Sequence, residues 1–262
     1  MIEILHIHKS FGDKVILEDI SAVMEAGKCN LIIGSSGSGK TVLTKCMVGL
    51  FRPNQGKILF DGKDMLEMET EERKMLRQQI GMLFQGTALF DSMTVEENVL
   101  FPLNMFTNWT NADKKKRADE VLERVNLQEA HKKYPAEISG GMKKRVGIAR
   151  AVVMNPRYLF CDEPNSGLDP QTSMVIDKLI QEITREFNIT TIVVSHDMNS
   201  VMGIGDHIIY LHQGRKQWEG SNKDIIFSKD QLLNNFIFAS EFLQDAKEMR
   251  MLEQMQQQSS KQ

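Results

Sequence analysis

Three short stretches carry residue types and spacings that could do chemistry. Residues 31–41 read Leu-Ile-Ile-Gly-Ser-Ser-Gly-Ser-Gly-Lys-Thr. Gly34, four intervening residues, Gly39, Lys40 and Thr41 fit the spacing of a phosphate-binding loop. Glycines let the backbone curl so that successive N–H groups point inward as an anion nest. A helix starting there adds unpaired N–H groups and the positive end of its dipole. Lys40 supplies a point charge for β- and γ-phosphates, and the Thr41 hydroxyl is placed to ligate Mg²⁺. In the second stretch, the apolar run Tyr158–Cys161 leads into Asp162 and Glu163. There Asp162 would hold Mg²⁺ through water, and Glu163 would accept a proton from an attacking water or position it. An isolated Asp-Glu pair is ordinarily a solvated turn; ending an apolar strand downstream of a phosphate loop gives it the catalytic reading. The third stretch is Ser139-Gly140-Gly141-Met142, followed by Lys143, Lys144 and Arg145. Ser139 suits an N-cap, and the two glycines leave a helix start open to a phosphate. Alone this is a weak signal, since many helices begin this way and bind nothing. Phe11, before Gly12, offers a flat face on which an adenine ring could stack.

The elements that must position these groups follow from hydropathy patterning. Ile2–His8 alternates as a strand, and Val15–Leu17 with Ile20–Met24 reads as a further antiparallel pair. Cys29–Ile33 is a strand with an apolar end entering the phosphate loop, with a helix-compatible run over Val42–Leu50. Gly56–Gly62 reads as a short strand and turn, Glu69–Gln79 as a polar helix, and Ile80–Phe84 as a buried strand that delivers Gln85. From Gly86 to Asn155 strand signals vanish and helical patterns replace them, over Val95–Leu103, Asn111–Val125 and Gly140–Met154. Strands resume at Tyr158 and at the β-branched run Ile189–Ser195, separated by an amphipathic helix from about Pro170 to Phe187. Asn199–Met202 is a short helix, and His207–His212 pairs with Lys216–Trp218. Alternating strands and helices predict an α/β fold with a parallel sheet covered on both faces. Phe238–Met255 favours helix, with Phe238, Phe242, Met249 and Leu252 available to dock a partner, and a polar tail follows.

Bulk properties narrow the classes. The 262 residues carry a net charge of −3, so no global field draws the chain to nucleic acid or to an anionic membrane face. Cys29, Cys46 and Cys161 form neither a metal-ligand pattern nor a disulfide framework. No stretch approaches 18 uncharged apolar residues, so a membrane-spanning part would have to come from another chain.

Taken in order, these motifs resemble those of the ATP-binding subunits of ABC transporters, over about residues 2–225. The resemblance rests on Gly34–Thr41 as the Walker A loop, Gln85 as the Q-loop, and Ser139-Gly140-Gly141 as the signature. Tyr158–Asp162 matches Walker B, Glu163 the catalytic glutamate, Ser166-Gly167-Leu168-Asp169 the D-loop and His196 the switch histidine. It implies an α/β phosphate-loop (RecA-like) parallel-sheet core with an antiparallel β subdomain and an inserted helical subdomain. The implied division is a core over residues 1–86 and 156–225, a helical signature subdomain over 87–155, and a C-terminal extension over 226–262. ATP and Mg²⁺ are the implied ligands. Gly34, Ser35, Ser36, Gly37, Ser38, Gly39, Lys40, Thr41 and Val42 would contact nucleotide with Phe11, while Ser139, Gly140, Gly141, Met142 and Asp169 would contact it across a homodimer. Thr41, Gln85 and Asp162 would hold the metal, and Glu163, His196, Gln85 and Lys40 would carry the chemistry. Two departures stand out. Met142 replaces the commoner Gln and removes one polar contact, and Gly167 stands where Ala is common, which would loosen that turn.

Met82–Leu103 and the run Ser139–Met142 followed by basic residues and Val146–Ala151 are most similar to the Mla-type ATPases of phospholipid transport. That likeness implies transmembrane permease subunits, an MCE-domain protein, and a small accessory protein at the C-terminal extension. It places the chain peripherally on the cytoplasmic face of a bacterial inner membrane, without nucleic acid. The alternatives are the same module in an amino-acid or small-solute importer and, more remotely, a soluble non-transport ABC ATPase.

Overall fold

The structure, a computed structural model, describes residues 1–239 together with Gln244, Asp245, Lys247 and Met249. Of the helix expected over Phe238–Met255, Gln244, Asp245, Lys247 and Met249 are helical, but Phe238 lies outside any helix and is buried in the core, where it is not free to dock a partner; Phe242, Leu252 and the polar tail lie outside the described residues. Strands β1 (Ile2–Phe11) and β2 (Lys14–Met24) pair antiparallel. β2 is one strand, not the pair its sequence suggests. Glu18 and Asp19 break the apolar alternation, but the ladder absorbs them as an irregularity, with Asp19 at φ 53° facing His6 at φ 51°. The His6 Nδ1 and Asp19 Oδ1 atoms meet there at 2.7 Å. Phe11 closes β1.

β3 (Cys29–Ile33) is buried along its whole length and runs into α1 (Lys40–Met47). β4 (Gln55–Phe60) and β5 (Lys63–Asp64) complete an antiparallel sheet of order β2-β1-β4-β5. α2 (Thr70–Gln78) precedes β6 (Ile80–Leu83). Then come α3 (Val95–Phe106), α4 (Asn111–Arg124) and α5 (Gly140–Val152), with no strand among them. Thr94, Thr110 and Ser139 start these helices, each accepting a hydrogen bond from the backbone N–H three residues on. The chain returns through β7 (Tyr158–Asp162), α6 (Pro170–Glu186), β8 (Thr190–Val194), α7 (Met198–Ile204), β9 (His207–His212), β10 (Arg215–Gly220) and α8 (Gln231–Ile237).

The second sheet has the order β10-β9-β3-β8-β7-β6, parallel except for the β9–β10 hairpin. Its central strands are buried on both faces, as β-branched runs with helical connections require. The pleat sorts their side chains. Leu31, Ile33, Leu159, Cys161 and Val193 point into a core shared with α3–α7. Ile32, Tyr158, Phe160, Ile192 and Val194 point into another shared with α1 and the antiparallel sheet. Two layers therefore clamp the parallel strands, and the carboxyl ends of those strands are held side by side.

Candidate active site

Four adjacent parallel strands, β3, β8, β7 and β6, each deliver one chemical part at their carboxyl ends. β3 leads into the phosphate loop, β8 to His196, β7 to Asp162 and Glu163, and β6 to Gln85. Ligand sites of open α/β sheets form at this edge.

The loop is shaped by its glycines at two points in particular. Gly34 has φ 150°, and a Cβ there would stand 2.3 Å from the Leu211 carbonyl oxygen and 2.6 Å from Ser38 Oγ. Gly39, at φ 105°, occupies the N-cap of α1, where a Cβ would come 2.7 Å from Leu17 Cδ2. The curled backbone leaves Ser35, Ser36 and Gly37 exposed and buries Ser38, Gly39 and Lys40. Lys40 Nζ donates to the carbonyl oxygens of Gly34 (2.7 Å) and Ser35 (3.0 Å), so the ammonium is held under the loop. Burial lowers its pKa below the usual lysine value, while Glu163 and Asp162 act in the opposite sense, which puts both carboxylates within its field. Thr41 is exposed at the start of α1, and Val42 is half-buried beside it.

Asp162 is half-buried at the end of β7. Burial and then the neighbouring Glu163 push its carboxyl above the usual range, against the pull of Lys45, Lys40 and Lys144. Glu163 sits in the left-handed region at φ 48°, with its N–H donating to the Val194 carbonyl oxygen at 2.9 Å. Such a backbone in a non-glycine residue costs free energy and is found where a side chain must be aimed. Its carboxylate meets His196 Nδ1 at 2.8 Å. A cavity of about 410 Å³ opens beside the pair, lined also by Ser166, Leu168 and Asn199. The Gln85 side chain turns toward the same edge, its Nε2 donating to Ser166 Oγ at 3.4 Å.

The donor set fits a nucleoside triphosphate with a divalent cation. Ser38 Oγ is buried in the loop with no hydrogen-bond partner among the described residues. Asp162, whose carboxyl burial and the neighbouring Glu163 hold above the usual range, would have its charged form favoured by a cation beside it. Thr41 and Asp162, with Gln85 beyond, would hold the ion; Lys40, Ser38 and the loop N–H groups would hold phosphates.

Other expected residues lie elsewhere on the chain. Ser139 is exposed at the N-cap of α5, its Oγ accepting from the Met142 N–H at 3.2 Å, and the first turn of α5 carries no acidic residue. Met142 packs, partly buried, against the core shared with the helices, which gives the signature departure a packing role. The Asp169 carboxylate is engaged as the N-cap of α6, accepting from the Thr172 N–H at 3.0 Å and from its hydroxyl. Phe11 is exposed, edge-on to Phe51 at 5.3 Å, with Lys9 Nζ 4.8 Å from its ring centre.

Sequence reading missed Lys144, which is buried and donates to the carbonyl oxygens of Gln85 and Glu163. It also missed a buried network in which Asn165 Nδ2 donates to Asp177 Oδ1 and Ser200 Oγ behind the D-loop. The phase of α5 was the available signal for the first; the second has no local signal.

The fold and this edge define a phosphate-loop nucleotide hydrolase of the RecA-like α/β class. The ABC transporter family description matches residues 17–166. The chain is 37% identical over 236 residues to the "Probable ribonucleotide transport ATP-binding protein mkl" of Mycobacterium leprae, covering 90% of this chain and 68% of that one. It is 40% identical over 220 residues to the "Methionine import ATP-binding protein MetN" of Rhizobium johnstonii, covering 84% and 60%. Among solved structures, the dimeric ATP-binding cassette MJ0796 bound to ADP and Pi superposes with a TM-score of 0.76 at 30% identity, covering 85% of this chain and 99% of that one. The chain thus spans roughly two thirds of the length of the curated relatives it matches. It belongs to the ABC transporter family, as an ATP-hydrolysing subunit that uses ATP and Mg²⁺.

Proposed function

We propose that two copies of this chain sandwich two ATP molecules and drive a membrane permease that moves phospholipid between bacterial membranes. The observation that carries the ATPase part is the Glu163–His196 contact of 2.8 Å beside a loop lysine that senses both Asp162 and Glu163. In this reading the loop from Gly34 to Thr41 and Lys40 bind the triphosphate, and Phe11 stacks on adenine. Asp162, Thr41 and Gln85 hold Mg²⁺, which neutralises charge on the phosphates. Glu163 accepts the proton of the attacking water, and His196 holds that carboxylate and reaches the γ-phosphate. Ser139–Met142 and Asp169 complete the site of the opposite copy. Residues 1–86 and 156–225 act as the ATP-binding core, 87–155 as the moving helical part, and 226–262 as an extension that contacts partners.

A permease partner is supported by a groove of about 450 Å³ between β6, α3 and α5. Phe84, Phe90, Met105 and Phe106 are exposed there, with Arg77 and Arg150 in its lining. Exposed apolar surface of this size suits a protein partner. No helix among the described residues is long and apolar enough to cross a membrane, so membrane work would require that partner. The chain would then sit peripherally at the cytoplasmic face.

Phospholipid as cargo is supported by the likeness of Met82–Leu103 to the Mla-type ATPases, and it would bring an MCE-domain protein and an accessory protein. The relatives reported above bear ribonucleotide and methionine transport in their names. The identity to MetN makes a small-solute importer the second reading. Affinity purification of the tagged chain from detergent-solubilised membranes, followed by lipid extraction and mass spectrometry of the complex, separates the two. A permease with retained phospholipid is expected; a permease with a periplasmic solute-binding protein and no enriched lipid would refute the cargo.

A further inference from the structure

The buried face of α5 carries a charge. Lys144 is 4% exposed, on the face that also buries Gly141, Gly147, Ile148 and Ala151. Its Nζ donates to the Gln85 carbonyl oxygen at 2.5 Å and to that of Glu163 at 3.2 Å. Burying an ammonium is costly unless its protons find acceptors. Burial pulls the Lys144 pKa below the usual lysine value, and Cys161, Glu163 and Asp162 work against that shift. An apolar side chain would fill this space more cheaply. The lysine therefore adds a tie, and its two ends are informative.

Gln85 lies two residues beyond β6 and Glu163 one residue beyond β7, so neither is held inside the strand its chain has just left. The Glu163 peptide is fixed on both sides: its N–H by Val194 of β8 and its carbonyl by Lys144 of α5. Its strained φ of 48° depends on such fixing. Ser139, at the exposed start of α5, lies five residues from Lys144, about 7.5 Å along the helix axis at 1.5 Å per residue. A rigid helix thus joins an exposed nucleotide-contacting end to the backbone of the catalytic pair.

We infer that Lys144 is a positioning residue, whose bonds to the Gln85 and Glu163 carbonyls aim the Glu163 carboxylate and link it to α5. Contact between α5 and the nucleotide of a second copy is thereby transmitted to the Glu163 of its own copy. This rests on the proposed ATP sandwich. It concerns chemistry more than ATP binding, because Lys144 bonds the backbones of Gln85 and Glu163 and not the phosphate loop.

The test is Lys144→Met, which keeps length and removes the donors, with Lys144→Leu beside it as a second donor-free variant that guards against misfolding. Steady-state ATPase, ATP-driven dimerisation by size exclusion and thermal melting are measured on the full chain. The expected result is a kcat lower by about 10- to 100-fold, the scale of small misplacements of a catalytic group, with KM for ATP within about 3-fold and dimerisation kept. A purely structural lysine would not split kcat from KM. The inference is overturned if a folded neutral variant keeps kcat within about 2-fold of the native chain, since misplacement costs more than that. It is equally overturned if both variants lose dimerisation or fold, because Lys144 would then act on assembly or stability. Failure of the ATP-sandwich reading looks different: the Glu163→Gln chain, with Lys144 intact, would show no ATP-driven dimer or would turn over normally.

Discussion

Replacing Glu163 by Gln changes the site by one proton acceptor and almost nothing else. The side chains are isosteric, and Gln Oε1 can still accept a hydrogen bond from His196 Nδ1, which stands 2.8 Å from the native carboxylate. The strained φ of 48° and the Val194 and Lys144 backbone contacts do not depend on the carboxylate. What would be lost, on the role proposed for Glu163, is the group that takes the proton from water. Positioned general bases contribute about 10²- to 10⁴-fold, so the barrier should rise by about 3 to 5 kcal/mol. Binding should move the other way. Glu163 is the second cause of the raised Asp162 pKa, after burial, and its removal takes a negative charge from beside the triphosphate. The variant should therefore bind Mg-ATP at least as tightly as the native chain and accumulate as an ATP-bound dimer. Phosphate release under saturating ATP gives the rate, and size exclusion with and without Mg-ATP gives the dimer. Turnover within tenfold of the native chain would remove Glu163 from the role of base, and loss of ATP binding would show that its charge serves the fold.

Two further outcomes follow from the same geometry. Ser139→Arg removes the α5 N-cap at a cost of about 1 kcal/mol, lowering the melting temperature by about 2 to 4 °C, and should abolish ATP-driven dimerisation while leaving a folded monomer; a persistent dimer would contradict the interface. Asp177, 6% exposed, has its pKa pushed up to about 6 by burial, so the native state resists its ionisation. The stability it allows is complete below the ordinary value near 4 and falls as pH rises through about 6, by about 3 kcal/mol in all and about 1 to 2 kcal/mol between pH 5 and 8. Asp177→Asn should flatten that fall in urea unfolding curves, and an unchanged pH slope would refute the assignment.

The parts of the fold that were legible in the sequence are those whose signal is local. Cys29–Ile33 is apolar at every position but Asn30 because β3 is covered on both faces, and the strand lies where that run lies. The helical patterns read over Val95–Leu103 and Asn111–Val125 start where α3 and α4 start, and Thr94 and Thr110 cap them there. The break inferred in β2 failed for a physical reason. A polar pair such as Glu18-Asp19 looks like a turn, but its irregularity is stabilised by His6 from the neighbouring strand. Within the site, the phosphate loop and the β7 carboxylates are contiguous motifs and could be read directly. Lys144 could not be read from composition, since Lys143-Lys144-Arg145 resembles a solvated basic face. Its burial follows from the helical phase that places it over Gly141 and Gly147. The Asn165–Asp177–Ser200 network joins residues 12 and 35 positions apart and has no sequence-local trace at all.

The electrostatics of the phosphate loop argue why such a chain should work as a pair. Lys40 already donates to two carbonyl oxygens of its own loop, so only one of its three protons remains for a phosphate. The α1 terminus adds a partial charge of about half a unit. Against a triphosphate beside Asp162 and Glu163, one protomer and one Mg²⁺ leave negative charge uncompensated. The free N-terminus of α5, with no acidic residue in its first turn and Lys143 beside it, is a matching positive end that its own chain leaves exposed at Ser139. Two copies arranged head to tail satisfy both needs at once, with ATP as the shared counter-charge. In that proposed pair, cleavage would spread the charge over two separable anions and weaken the bond between the copies. Because α5 reaches from Ser139 to Lys144 in little more than one turn, the helix that would meet the partner's nucleotide in the proposed pair is also tied to the backbone of Glu163.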